Sequence, residues 1–236
     1  MFDFLINIFD VFLYRPLFNF LILIYNYSPG HDFGLAVISL TVIIRFIIYP
    51  ISVKALNSQK ILQKLQPQLK EIQKKYKEDK EKQARETLEL YRKEKINPFS
   101  GLVLVIIQLP ILIALYLVFD RGLRPEELLK LYSFVLNPIH INAMFLNVID
   151  LSKPNIAFAV LAGLIQFFQT KMLIPGSSKH TIRENDIASI MQKQMIYFFP
   201  FITVLILFKL PSALGLYWIA SGLFSIAQQY FILKRK

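Results

Sequence analysis

One arginine inside an otherwise apolar stretch narrows the possible folds more than any other feature of the chain. Residues 34–53 read GLAVISLTVIIRFIIYPISV, nineteen uncharged residues and Arg45. Wound as a helix, the stretch carries Arg45 about 16 Å from Gly34 at roughly 1.5 Å per residue. A hydrocarbon core is about 30 Å thick, so Arg45 falls close to its middle. A guanidinium there costs roughly 2.5–3.5 kcal/mol on insertion scales. Such a cost is tolerated where the group meets water, a partner or a substrate.

Composition agrees with a membrane setting. Of the 236 residues 55% are hydrophobic, and the mean hydropathy is +0.46. The apolar residues come in continuous runs rather than the short alternating segments of a β-barrel. The expected class is therefore an all-α polytopic membrane protein. The chain has no cysteine, which removes disulfides, thiolate nucleophiles and thiolate metal sites. His31, His140 and His180 are far apart in loops, so no metal centre is expected.

In chain order, residues 1–33 are expected to form an interfacial amphipathic helix and a turn. Asp3, Asn7, Asp10 and Tyr14 recur at helical spacing as a polar stripe, and Pro16 is expected to break the helix. Ser28-Pro29-Gly30 makes the turn. The first span is 34–53, ending at Pro50. The segment 54–97 then carries thirteen basic and seven acidic residues. Leu62, Leu65, Leu69, Ile72 and Tyr76 form a heptad seam, and Ala84, Leu88 and Tyr91 continue it beyond a polar segment. A solvated antiparallel helical hairpin is the expected structure, with Lys74, Lys75, Tyr76 and Lys77 near its tip. Its charges fit a solvated face, or a docking surface for partners or lipid headgroups. Further spans are expected at 98–119, 155–173, 195–210 and 211–233. Loops at 120–154 and 174–194 and a tail at 234–236 complete the chain. Short interfacial helices are expected in the 120–154 loop.

Loop charges orient this five-span arrangement. The hairpin, the 174–194 loop and the tail are all basic and share one side. Residues 1–33 are net acidic, and the 120–154 loop has four basic and four acidic residues. The positive-inside rule then puts the N-terminus outside and the C-terminus in the cytoplasm.

Polar groups within the spans are few. Ser39, Thr41, Gln108, Gln166, Gln169, Thr203, Ser221, Ser225, Gln228 and Gln229 are the uncharged ones. Most such groups act as interhelical hydrogen-bond glue, worth roughly 0.6–2 kcal/mol each. Arg45 is different, because none of the later spans holds an acid to pair with it. A hydrated cavity lined by Arg45 and some of the glutamines is the reading that fits best. The fourth span is short, which implies local thinning of the bilayer.

The quoted segments also resemble a known family. Leu65-Gln66-Pro67, LYRKEKINP (90–98), IQLPILIALY (107–116), FFQTKM (167–172), FPF (199–201), LPSALGLYW (210–218) and Gln228-Gln229 follow in order. Together they resemble the YidC/Oxa membrane protein insertases, and Arg45 in IIRFIIYP is similar to the intramembrane arginine of that family. The resemblance implies a five-helix core with a hydrophilic groove, closed on the outside, in the bacterial cytoplasmic membrane. The expected groove residues are Arg45, Thr41, Gln108, Gln166, Gln169, Trp218 and Ser221. It implies no catalytic residue, no cofactor and no specific nucleic acid. Clients would be newly made small membrane proteins, with lipids, the ribosome and a general translocon as further candidate partners. The short tail implies weak ribosome docking. The rival function is an anion-binding transporter or channel using Arg45, and an intramembrane enzyme lacks a base for Ser221 or Ser225.

Overall fold

The computed structural model describes residues 2–97, 100–173 and 194–234. The expected 174–194 loop, apart from its last residue, the Pro98-Phe99 start of the second span and the last two tail residues lie outside the described residues. The chain is mostly helical. Helix α1 (Phe2–Phe9) leads through a π-helical turn (Asp10–Tyr14) into α2 (Arg15–Tyr27). Then come α3 (Phe33–Lys75), α4 (Lys80–Lys93), α5 (Ser100–Arg121), α6 (Ile156–Leu173), α7 (Phe199–Leu207) and α8 (Ser212–Lys234). Among the described residues, Ile6–Tyr27, Phe33–Lys75 and Ile156–Leu173 are long and apolar enough to cross a membrane, and Ile196–Leu207 is a shorter apolar helix. α5 has 22 residues and α8 has 23.

Local chemistry accounts for several helix starts. Asp32 caps α3 by accepting the Leu35 N–H at 2.8 Å, and Asp79 caps α4 by accepting the Lys82 N–H at 2.9 Å. Asn155 accepts the N–H groups of Ala157 and Phe158 at the start of α6. These short polar side chains satisfy donors that the first helical turn leaves without partners. Gly30 takes φ +68° in the turn between α2 and α3, a conformation that glycine adopts without steric cost.

Prolines do not stop two of the helices. The first helix does not break at Pro16. Arg15 donates its backbone N–H to the Asp10 carbonyl, five residues back, and Pro16 falls in the first turn of α2, where its missing N–H costs little. The helix that carries the first span likewise does not stop at Pro50. α3 is one helix of 43 residues that continues through Pro50 and Pro67 to Lys75. Lys60 Nζ donates to the Ile232 carbonyl near the end of α8 at 3.2 Å. Gln63 Nε2 donates to the Leu173 carbonyl at the end of α6. These side chains fasten the far half of α3 to two other helix ends.

α4 follows α3 after a turn at Tyr76–Asp79. The expected seam closes only in part, since Leu65 is buried and Leu88 is 55% exposed. The 122–155 connection meets expectation in part, with one short helix and two strands. It holds a 3₁₀ turn (Pro125–Lys130) and two short antiparallel strands, β1 (Met144–Phe145) and β2 (Ile149–Asp150), but no α-helix.

This connection is bonded along the length of the first helix. Tyr14 Oη donates to Glu127 at 2.7 Å. Asn19, fully buried, accepts the Tyr132 N–H at 2.6 Å and donates to the carbonyls of Arg15 and Lys130. Asn26 donates to the Leu136 carbonyl and Tyr25 Oη accepts the Asn142 N–H. Beneath these bonds, Phe18, Leu21 and Ile22 of α2 join Phe33, Val37 and Leu40 of α3, Leu115 and Val118 of α5, and Leu151 in one apolar core. Burial pushes the Glu127 carboxyl up, but hydrogen bonds from Lys130 and Tyr14 outweigh it and hold the group below its ordinary range. A depressed carboxylate contributes stability above its ordinary range and loses it as pH falls through the depressed value.

Asn19→Leu removes both the acceptor for a backbone N–H and a donor to two carbonyls. The expected cost is roughly 1–3 kcal/mol, read as earlier thermal unfolding in detergent. Acidification below the ordinary carboxylate range should loosen the Glu127 attachment in the wild-type protein and have less effect in Glu127→Gln.

Candidate functional site

α8 sits between α3 and α6, and its two polar faces organise the site. Tyr217, Ser221 and Gln228 turn toward α3 and α5. Ser221 Oγ accepts from Arg45 Nε at 2.8 Å and from the same guanidinium through Nη2. Gln108 Nε2 of α5 donates to Tyr217 Oη. Further along, Gln228 Nε2 donates to Ser52 Oγ at 2.8 Å, and Ser52 Oγ donates to the Tyr49 carbonyl. Arg45 is half-buried. Among the described residues no carboxylate lies within ion-pair distance of it. The acceptor at the guanidinium is a neutral hydroxyl.

The second face of α8 meets α6. Trp218 Nε1 donates to Gln166 Oε1 at 3.0 Å. Glycines allow the helices this closeness: a Cβ on Gly222 would overlap Ile165, and one on Gly163 would overlap Val204 of α7. Small residues at such crossings let backbones approach in a membrane. The Trp218 ring also lines an apolar cleft of about 230 Å³ with Leu112 and Tyr116 of α5 and Ile206 and Leu207 of α7. Trp218 thus joins a polar side and an apolar side.

The expected groove residues divide into subsets. Arg45 and Ser221 are bonded directly. Gln108 reaches the same face of α8 through Tyr217, and Gln166 and Trp218 form a pair on the neighbouring face. Gln169 lies beside Gly222. Thr41 does not point a free hydroxyl at Arg45: it is buried and donates to the Val37 carbonyl at 2.6 Å. Tyr217 and the Ser52–Gln228 pair were not among the expected site residues. Tyr217 stands one turn before Ser221, and that four-residue spacing is the signal that could have found it. At the α3–α4 turn, the Lys75 and Lys82 ammonium groups each lie 5.3 Å from the Tyr76 ring centroid. Lys74, Lys75 and Lys77 are exposed there.

A change of chemistry along the helices gives the site its shape. From the end carrying the 122–155 connection, the buried residues of α3, α5, α6 and α8 are apolar except for Thr41 and Ser212. Arg45, Gln108, Gln166 and Ser221 then begin the polar half, 9–13 residues into their helices. At 1.5 Å per residue this is about 14–20 Å of depth on all four. Ser52, Ser225, Gln228 and Gln229 are buried beyond that level. Buried polar side chains are therefore more frequent in the half of the bundle away from the 122–155 connection.

A helical, membrane-embedded protein with a polar interior layer is the class this fold and site define. The family model described as 60Kd inner membrane protein matches residues 23–236. A membrane protein insertase YidC from Fusobacterium nucleatum is 33% identical over 226 residues, 95% of this chain and 98% of the relative. One from Oceanobacillus iheyensis is 31% identical over 209 residues, 87% of this chain and 76% of the relative. A longer YidC insertase, from Syntrophus aciditrophicus, is 33% identical over 222 residues, 93% of this chain and 36% of the relative. The chain belongs to the YidC/Oxa family, whose members are named as insertases and not as enzymes.

A double-mutant cycle on Gln108→Leu and Tyr217→Phe should give a coupling of about 0.6–2 kcal/mol in unfolding free energy. Purely additive effects would mean that the hydrogen bond between α5 and α8 contributes nothing.

Proposed function

We propose that the protein inserts small membrane proteins, with Arg45 as the point at which a client's acidic tail is received. The observation that carries this is the arginine resting on Ser221, with no carboxylate beside it among the described residues. A hydrogen bond to a neutral group contributes about 0.5–1.5 kcal/mol net, and one between charged groups about 1.5–3 kcal/mol. A client carboxylate therefore displaces the hydroxyl with a gain of about 1 kcal/mol or more, a several-fold preference. The polar layer hydrates the tail while it is within the membrane. The client's apolar span then leaves sideways into lipid, driven by hydrophobic transfer, and the apolar cleft beside Trp218 offers it a path. The helix lengths support five spans: the first half of α3, then α5, α6, α7 with its flanking turns, and α8. The charge balance supports the N-terminus outside and the C-terminus in the cytoplasm. The basic turn of α3 and α4 would then face the cytoplasm, as a surface for arriving clients, lipid headgroups, the ribosome or a translocon.

The first helix is proposed to lie along the outer interface, although Ile6–Tyr27 is long enough to cross. The irregular 127–146 segment follows it from Tyr14 to Asp32 through successive hydrogen bonds. Irregular backbone exposed to hydrocarbon would leave amides without partners. A helix lying flat puts both at a depth where water reaches them.

In a strain depleted of its own insertase, Arg45→Ala should insert an acidic-tailed client at least about fivefold less than wild type, by the preference estimated above. Arg45→Lys should be intermediate and Arg45→Glu lowest. Equal insertion by all three would remove the charge-attraction role, and anion flux through vesicles lacking client would instead favour a transporter. Ser221→Ala should raise the ratio of acidic-tailed to neutral-tailed insertion, because Arg45 loses its resting acceptor. Ser221→Asp should lower that ratio by supplying a permanent rival carboxylate. A loss of the acidic preference in Ser221→Ala would place Ser221 in contact with the client instead.

A further inference from the structure

The 122–155 connection carries more exposed apolar surface than a water-facing loop sustains. Leu129, Phe134, Leu136, Ile139, Leu146 and Val148 are 61–84% exposed. Their neighbours Leu128, Val135 and Leu151 are buried in the core, so the segment is already folded and the exposed set is what remains after packing. Soluble surfaces seldom gather so many large apolar side chains within twenty residues.

Backbone conformation points the same way. Ile139 and Leu146 have φ of +61° and +51°. For a β-branched residue such as Ile139 that region is a true outlier. Leu146 and Asn147 form the turn between β1 and β2, a place where asparagine or glycine is the usual choice. A leucine at this tip and a strained isoleucine with an exposed side chain gain nothing from the protein's own core.

Charge supplies an independent observation. Three cations of the segment stand next to acids: Arg124 to Asp120 at 3.9 Å, Lys130 to Glu127 at 2.7 Å and Lys153 to Asp150 at 2.9 Å. Hydrogen bonds from Ser152 and Lys153 hold the Asp150 carboxyl below its ordinary range, so that pair stays ionised and mutually neutral near pH 7. Pairing of this kind lowers the cost of bringing a segment to a low-dielectric boundary. The basic α3–α4 region is different, with a strong excess of lysine and arginine over acids. The connection is built to neutralise charge and present apolar side chains.

We propose that the 129–148 segment is a lipid-seated surface. Its exposed side chains dip into the outer leaflet, at the boundary between headgroups and acyl chains, beside the interfacial first helix. The partner is the bilayer rather than a protein. The apolar residues are spread along an irregular backbone with Asn137, His140 and Asn147 between them. A fluid surface accepts that arrangement without shape complementarity. Two layers of contact then hold the outer end of the bundle at fixed depth: hydrogen bonds to α2 from within, and apolar side chains in lipid from without. The inference rests on the topology proposed above, in which this segment is outside.

The chain has no cysteine, so single cysteines can be spin-labelled without background. Labels at the six positions, in full-length protein in nanodiscs holding one copy, would be scored for accessibility to oxygen against a water-soluble nickel chelate. Leu164→Cys, on the exposed face of α6, serves as the lipid reference and Lys77→Cys as the water reference. Oxygen-to-nickel ratios close to the Leu164 reference are expected at most of the six. Ratios close to the Lys77 reference would overturn the proposal and leave a protein partner as the surface's occupant. Protection from both reagents would also overturn it, showing that the side chains pack within the chain. Labelling of Asn137→Cys in intact cells by a membrane-impermeant thiol reagent tests the topology separately. A failure there moves the segment to the other leaflet without altering the depth measurement.

Discussion

The Arg45–Ser221 hydrogen bond is the constraint around which the inner half of the molecule is arranged. A guanidinium inside an apolar stretch cannot be left without partners, and among the described residues no carboxylate lies within ion-pair distance of it. A serine satisfies part of its donor capacity, and the charge remains. A buried ion pair would have satisfied the arginine more fully and spent its charge. The serine keeps the group soluble in its surroundings and still attractive to an anion. Tyr217 and Gln108 extend that polar contact to a third helix, so α3, α5 and α8 are tied at one level.

α8 makes this arrangement possible because it contacts different partners on adjacent faces. Ser221 and Gln228 meet α3, Trp218 meets α6, and Gly222 permits the close crossing with Ile165. Toward the 122–155 end the same helix carries Ala213, Leu214 and Leu216 into the apolar core. Apolar packing therefore supplies rigidity at one end, and hydrogen bonds keep register at the other. The polar residues need not be strong stabilisers, since the interhelical bonds they form are each worth only about 0.6–2 kcal/mol. Their position is what matters.

Much of this was legible from residue order. The lone arginine, the apolar runs and a helix over most of 155–173 follow from hydropathy. Arg45 with Ser221 and Gln166 with Trp218 were expected in one site, and both pairs are bonded. The prolines misled, because Pro16 and Pro50 read locally as breaks. A π turn before Pro16 lets the first helix continue, and α3 runs on through an exposed Pro50. Thr41 satisfies its hydroxyl on the carbonyl four residues back, a bond that residue order does not announce. The Asn19–Tyr132 and Ser52–Gln228 contacts join positions more than a hundred residues apart. No local spacing announces such pairs; only the folded chain brings them together.

The unbroken α3 has a mechanical consequence. Arg45, Lys60, Gln63 and the lysine-rich turn at Tyr76 all ride on one rod. Lys60 and Gln63 fasten that rod to the ends of α8 and α6. A tug at the basic tip therefore reaches the guanidinium as a tilt of the whole beam, with Ile232 and Leu173 serving as its bearings.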